Sequence, residues 1–498
     1  MLPRRTASGT SAGAKVIIPQ QKCFVKHEFS SDFPRLWPEK GAEKARFLLQ
    51  KHGIGLAFLT ENLYNRAVRE QFCNNFAKSR PAFAPPVEKG NRMKPIKWLT
   101  AFCLLGLLAC VSTCLGETAR DITADAKITA STHLPSSVRV SDRDFGTIWN
   151  SLKGRRENLE IETAEPCFGV YLCSGMEKLR PWIVEVPEGK NWTEVARSEG
   201  KFGHEYVPLD GLTHFRVRLE GTAQQIFSVN EIYLLSEGEL PDWVQLWQPA
   251  VEKADLMILV GHPDDEILFF GGMIPTYAGE LRKNVVVCYM TCGTPGRRSE
   301  LLNGLWYCGV RNYPDIGTFW DKYHQRLDKQ YGTWGQNNVW KYVTALLCRY
   351  RPEVVATQDV NGEYGHGAHR VCADACLHCV PAAADPSKYK DSAKTYGAWQ
   401  VKKLYIHLYP ENQVEFDWDI PLASQNGKTG YETALEAYRL YVSQQKSGQK
   451  NPDTGEFEYF SVEPRDSATS SYLFGLAYSA VGPDIEKKDL FENIPSDK

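Results

Sequence analysis

The strongest constraint in this chain is the stretch 254–272. There an unbroken apolar run, Leu256 to Val260, ends in Gly261-His262-Pro263-Asp264-Asp265-Glu266. Five apolar residues without alternation suit a strand buried on both faces, as in a parallel sheet. Ile267 to Leu281 then reads as a helix, apolar on one side. Pro263 is well placed near its start, and Pro275 either kinks it or ends it early. The strand therefore delivers His262, Asp264 and Asp265 to the carboxyl edge of a sheet, where open α/β folds keep their sites. An imidazole and a carboxylate three residues apart can both ligate one Zn²⁺, while a further carboxylate stays free as a base. Two carboxylates alone would equally suit a helix N-terminus, where the dipole favours them. The whole His-Pro-Asp-Asp-Glu string at a strand end favours a site.

A second histidine cluster, Asp359-Val-Asn-Gly-Glu-Tyr-Gly-His366-Gly-Ala-His369-Arg370, occupies the same architectural position. It follows a short apolar strand, Val354 to Thr357, and precedes a helical pattern, Val371 to Val380. Two histidines three apart at a helix start can share one face and one ion. Such a pair alone is more often a surface or capping feature; beside the first cluster it reads as the other half of a site.

Together these motifs resemble the LmbE-like (PIG-L) zinc-dependent N-acetylglucosaminyl deacetylases. The family's Ala/Gly-His-Pro-Asp-Asp-Glu motif stands at Gly261–Glu266, and its Gly-His-x-x-His segment stands at Gly365–His369. Gly271-Gly272, the strand Val285 to Thr291 and the loop Cys292 to Gly296 also fit, and Arg298, Glu300 and Cys308-Gly309 match more loosely. The resemblance spans about residues 250–450 and implies the following roles. His262, Asp265 and His369 bind Zn²⁺. Asp264 is the general base, His366 and Tyr364 hold the oxyanion, Arg298 binds substrate, and Glu266 caps the helix or orients a ligand. One departure stands out. Many members carry His-Pro-Asp-His in the second motif, whereas this chain has His366-Gly-Ala-His369, so one candidate partner for a ligand is missing.

The length of 498 residues predicts two or more domains. Residues 1–92 show no motif and are taken as a non-native or disordered extension. Residues 93–116 carry a basic start, Met93 to Lys97, and an apolar core too short for a comfortable membrane span. They read as a signal peptide or lipoprotein signal, with Leu107 to Cys110 resembling a lipobox. Export to the periplasm, the cell surface or the medium is the expectation, with membrane attachment only through the signal or a lipid anchor. Residues 117–238 hold short alternating runs at Phe168–Leu172, Trp182–Val186, His214–Leu219 and Val229–Leu234, separated by turn residues. That spacing predicts an antiparallel β-sandwich. The segments 126–131, 142–149 and 227–233 resemble discoidin (coagulation factor type C, galactose-binding-like) domains, which implies a jelly-roll module that often binds carbohydrate. His133, Arg143 and Trp149 stand near such a site, although Trp149 suits core packing better. Leu240 to Pro249 is a packed linker. Residues 250–498 alternate strand and helix, which predicts an α/β domain with a Rossmann-like parallel sheet. Of Trp306, Trp320, Trp334 and Trp340, some line a sugar-sized cleft and most are core. The Ser443-Gln444-Gln445 element is read as structural, and the tail 489–495 as docked.

Net charge is −2, which implies no basic field for nucleic acid. The 14 cysteines form no tidy framework. Cys167 and Cys173 lie about 20 Å apart along a strand, too far for a bridge. Cys372, Cys376 and Cys379 copy the spacing of an iron–sulfur site but sit in a helical pattern, where buried thiols are the simpler account. The expected activity is zinc-dependent removal of the N-acetyl group from an N-acetylglucosamine-type sugar or glycoconjugate. The alternatives are a zinc amidase or esterase on another substrate, and a catalytically silent carbohydrate-binding surface protein.

Overall fold

The computed structural model describes residues 117–131, 139–153, 155–221, 225–450 and 455–495. Residues 1–116, with the signal-like stretch, and His133 lie outside them.

Alternation in the sequence becomes antiparallel strands: β1 (Lys127–Ala130), β2 (Trp149–Asn150), β3 (Asn158–Cys173), β4 (Trp182–Glu188), β5 (Asn191–Arg197), β6 (His204–Leu219), β7 (Ser228–Val229) and β8 (Glu231–Leu235). Six of them form one sheet in the order β1-β3-β6-β4-β5, with β8 paired to the end of β3. β2 and β7 form a separate pair. The period of two sorts the side chains. Val170, Leu172, Ile232 and Leu234 face a core with Phe215, Val217 and Trp149. Tyr171, Cys173 and Leu235 take the opposite face and pack with Val244 of the linker. Trp149 is fully buried, edge-on to Phe227, so it is core and no sugar shelf. Arg143 pairs with Asp121 and Glu231 and stacks over Tyr233, which commits its guanidinium to the fold.

The second part contains β9 (Leu256–Val260), α1 (Asp265–Phe270), β10 (Val285–Tyr289), α2 (Pro295–Tyr307), β11 (Asp315–Ile316), α3 (Leu327–Trp334), α4 (Gln336–Tyr350), β12 (Val354–Thr357), α5 (Gly367–Ala382), α6 (Lys390–Tyr396), β13 (Lys403–His407), β14 (Gln413–Glu415), α7 (Gly430–Tyr438), β15 (Gly448–Lys450), β16 (Phe457–Tyr459) and β17 (Leu473–Ser479). The first helix breaks ahead of Pro275: α1 ends at Phe270, the chain turns at Gly271-Gly272, and Pro275–Glu280 follows as a π-helical segment.

Seven strands form one sheet in the order β11-β10-β9-β12-β13-β17-β14. The first five are parallel, but β17 runs antiparallel to both β13 and β14. The sheet is therefore mixed, a correction to the wholly parallel expectation. Local pattern reports burial, and the direction of an edge strand is set by the route of the chain back to it. β9 is buried on both faces, as its unbroken apolar run requires. Leu256, Ile258 and Val260 pack with residues of α1, α2 and α7, while Met257 and Leu259 pack with α4 and α5. Cys372, Cys376 and Cys379 all lie in that second layer, as free buried thiols.

The β-rich part is fastened to α2 and its flanks. Gly203 donates its N–H to the Tyr313 hydroxyl at 3.0 Å, and Gln245 Nε2 donates to Asn303 Oδ1 at 2.7 Å. Trp306 Nε1 donates to the Asp242 carbonyl at 2.8 Å. At Gly175 the approach is so close that a Cβ would meet the Pro295 carbonyl oxygen at 1.8 Å, so only glycine fits. Linker residues are thus part of the packing. The tail docks as well: Leu490 is buried, and Tyr277 donates its hydroxyl to Asp489.

Candidate active site

Two strand ends build the site. β9 and β12 are parallel neighbours, so both deliver their following loops to the same edge. After β9, Gly261 donates its N–H to Gln358 Oε1, beyond the end of β12, at 2.8 Å. A Cβ at Gly261 would press on Asp265 and His369 at 3.2 and 3.3 Å, so glycine keeps the cluster closed. The loop then turns at Asp264, whose φ of 105° is a strained value for a residue with a side chain. Asp265 opens α1, and its Oδ2 accepts the His262 backbone N–H at 2.7 Å.

His262, His366 and His369 bring their ring nitrogens within 4.8 Å of one another. Asp265 sits between two of them, with Oδ2 3.3 Å from His262 Nδ1 and Oδ1 3.2 Å from His369 Nε2. The three imidazoles are prepared differently. His369 turns Nδ1 to Glu363 Oε2 at 3.0 Å and Nε2 to Asp265 Oδ1. Burial lowers its pKa, but the two carboxylates outweigh it and raise it to about 10, and the Glu363 bond leaves Nε2 as the nitrogen that would give its proton up to an ion. His262 turns Nδ1 to Asp265 Oδ2 and Nε2 toward Asp321 Oδ1. His366 is reversed: its Nδ1 accepts the Ala368 backbone N–H at 3.1 Å as the cap of α5. Its neutral ring must then carry the proton on Nε2, and burial together with the two neighbouring imidazoles pushes its pKa down to about 2. This donor set of imidazole nitrogens and a carboxylate suits a divalent transition ion such as zinc.

Neighbouring carboxylates are pushed in opposite directions. Burial drives Asp264 well above the usual carboxylate range, with Arg297 opposing. Burial would also raise Asp265, but His369 and His262 outweigh it and hold it well below that range. Burial acts the same way on Glu363, where hydrogen bonds from His369 and His407 hold the carboxyl at about 2. Glu266 accepts from Tyr441 and from the Asp264 N–H, so it braces the loop, and burial brings it to about 7.

The cluster lines a cavity of about 360 Å³, walled also by Arg297, Asp321, Tyr323, Tyr364, Gln444 and Phe460. Tyr364 stacks on Phe460 with ring centroids 4.1 Å apart, and its buried hydroxyl has no hydrogen-bond partner among the described residues. Six of the seven residues singled out from sequence meet here: His262, Asp264, Asp265, Tyr364, His366 and His369. Arg298 does not; it lines a neighbouring cavity. The guanidinium at the site is that of Arg297, which donates to Asp264 Oδ1 at 2.9 Å and to the Pro263 carbonyl. One residue along a helix turns a side chain by about 100°, so the motif's arginine pair could not be told apart by spacing. Ser443 and Gln445 are structural, bonded to Glu300 and to the Tyr438 carbonyl, while Gln444 reaches the cavity.

Sequence inspection also missed Glu363, His407 and Asp321. Glu363 lies inside the second histidine segment, but only the short 3-10 turn Glu363–Gly365 aims it back at His369. It gives His369 a carboxylate partner, although no acid stands between the two histidines. His407 arrives from β13, bonded to Glu363 Oε1 at 2.7 Å and to the Ser470 carbonyl at 3.0 Å. Asp321 comes from the loop after β11 and stands 3.6 Å from His262 Nε2.

The comparisons with known proteins identify an N-deacetylase of the hydrolase class. Residues 257–380 match the family model described as PIG-L, GlcNAc-PI de-N-acetylase, so the α/β body carries a PIG-L/LmbE deacetylase domain. A curated relative, the 1D-myo-inositol 2-acetamido-2-deoxy-alpha-D-glucopyranoside deacetylase 1 of Frankia casuarinae, is 27% identical over 300 residues, covering 49% of this chain and 96% of the relative. The solved N,N'-diacetylchitobiose deacetylase of Pyrococcus horikoshii is 19% identical over 40% of this chain and 73% of its own, with a TM-score of 0.29. For the β-rich part, the F5/8 type C domain of a Bacteroides fragilis protein is 16% identical over 25% of this chain and 97% of its own, with a TM-score of 0.20.

Proposed function

We propose that this chain is a zinc-dependent hydrolase that removes the N-acetyl group from an N-acetylglucosamine-type sugar or glycoconjugate. The convergence of three imidazoles on one carboxylate carries the proposal: His262 Nδ1 and His369 Nε2 stand beside Asp265, and His366 presents an N–H. His262, Asp265 and His369 would hold the ion. When bound, zinc supplies Lewis-acid polarisation and lowers the pKa of water to about 7.

The chain's own residues supply the rest. Asp264 takes the proton of the attacking water and returns it to the leaving amine. Its strained backbone and the Arg297 contact fix its carboxylate in one position. His366 donates from Nε2 to the oxygen that gains charge as the carbonyl becomes tetrahedral. The Tyr364 hydroxyl, which has no partner among the described residues, is a second donor for that oxygen. Glu363 holds His369 in the tautomer a ligand requires.

The parallel order β11-β10-β9-β12-β13 supports a Rossmann-like description of this domain, and the two antiparallel sheets support a jelly-roll description of the module before it. A sugar ligand for that module is proposed from its resemblance to discoidin domains, at a site other than Trp149 or Arg143. The pattern at 93–116 supports export. Acetate release from N-acetylated sugars by metal-free and zinc-loaded protein tests the activity. Loss of release on chelation and recovery with zinc are expected; release unchanged by chelation would refute the assignment.

A further inference from the structure

Against the catalytic cavity lies a second one of about 400 Å³, lined by Glu177, Cys292, Arg298, Phe319, Trp320 and Asp321 among others. Asp321 lines both, so the two cavities are neighbours. Both volumes fall in the range of roughly 300–1,000 Å³ seen for small-ligand sites. Trp320 is 66% exposed, yet its loop is fixed. The Trp320 carbonyl accepts from Trp334 Nε1 at 2.9 Å, and the adjacent Phe319 ring packs on Trp334 and Tyr342. An aromatic ring held in water by a rigid loop loses little freedom on binding. The exposed Lys322 ammonium, 5.2 Å from the ring centroid, is a weak contact that an occupant can displace.

Glu177 comes from the β-rich module, on the loop after β3. That loop is held by Gly175, whose N–H donates to Asn230 Oδ1 at 2.7 Å and whose bare Cα allows contact with Pro295 at the start of α2. The module is therefore placed to form one wall of the cleft.

We propose that this second cavity holds the sugar unit attached to the N-acetylated ring, so that the substrate is a glycan of at least two units and the β-rich module contributes to its recognition through Glu177. The inference rests on the deacetylase proposal for the adjoining cavity. A pyranose offers an apolar face of C–H groups to an aromatic ring and a rim of hydroxyls to polar groups. Trp320 supplies the first, and Arg298 with Glu177 supplies donors and acceptors for the second. Charges of opposite sign here favour neutral hydroxyls over a phosphate or carboxylate.

The test compares acetate release from N-acetylglucosamine and N,N'-diacetylchitobiose by the zinc-loaded full chain. Trp320→Ala is expected to lower kcat/KM for the disaccharide about tenfold relative to the monosaccharide, mainly through KM. Glu177→Gln is expected to lower the same ratio about threefold. Ratios that stay within about twofold of the unsubstituted chain would overturn the subsite. Calorimetric titration of the metal-free chain with the disaccharide gives a readout without turnover. Weakening of about tenfold by Trp320→Ala supports the subsite; equal affinity, or no binding by the unsubstituted chain, overturns it. Acetate release from neither sugar would remove the deacetylase proposal and leave the titration to decide the subsite.

Discussion

Glu363 Oε2 lies 3.0 Å from Nδ1 of His369, and both groups are buried. The contact dictates which ring nitrogen of His369 keeps its proton and which one faces the candidate metal centre. Partners of this kind are worth about 10–100-fold in metal affinity. Glu363→Gln is therefore expected to weaken zinc binding by that factor while the chain stays folded. Chelator competition measures the affinity and circular dichroism checks the fold. Unchanged affinity would show that the bond is only structural.

Asp264→Asn removes the proposed base without removing a proposed ligand. Zinc content is expected to stay near one ion per chain and acetate release to fall by about 10²–10⁴-fold. Elemental analysis and a turnover assay on the same sample check both halves. Retained turnover would exclude Asp264 as the base.

His366 and His369 both stand at the start of α5, yet their roles differ. His366→Ala is expected to keep zinc and to lose about 10²–10³-fold in kcat, the usual cost of an oxyanion donor. His369→Ala is expected to lose the ion. If His366→Ala also lost zinc, the ring polarity inferred from the Ala368 N–H contact would be wrong.

Lys403 is fully buried on β13, with its Nζ 2.5 Å from Asp484 Oδ1 and the Tyr405 hydroxyl donating to the same carboxylate. Removing one partner leaves an unpaired buried charge, which costs about 3–5 kcal/mol. Asp484→Ala is expected to lower the denaturation midpoint accordingly, whereas joint replacement of Lys403 and Asp484 by apolar residues is expected to cost much less. Urea titrations of the three proteins make the comparison.

Glu231 is fully buried in the β-rich module, and burial, with Asp142 nearby, outweighs the opposing Arg143 guanidinium and raises its pKa from 4.5 to about 8. Between those values the folded chain keeps a proton that the unfolded chain releases. Stability is therefore expected to fall as pH rises through this window, by up to about 1.4 kcal/mol per pH unit from this group. Glu231→Gln should flatten the dependence. Denaturation midpoints at pH 5.5 and 8.5 give the slope; an equal slope in the variant would show that Glu231 is not its source.

Much of the site was legible because its chemistry is local. His262, Asp264 and Asp265 follow a strand that can only be central, and His366 and His369 open a helix after another. Two parallel strands must release their loops at one edge. Arg297 was passed over for Arg298 because adjacent helical positions carry the same chemistry in different directions. Glu363 was seen in its segment but not used, since a strained three-residue turn has no periodic signature.

The amino-acid sequence by itself determined the classes of element, the burial of β9 on both faces and the motif residues, since these follow from apolar periodicity and residue chemistry over short stretches. Tertiary structure alone decided the antiparallel edge at β17, the bracing of His369 by Glu363, itself held by His407, and the lining of one cavity by Glu177 and Trp320 from two parts of the chain. These depend on groups far apart in the sequence, and which distant groups meet is settled by packing of the whole chain, where no local pattern records it.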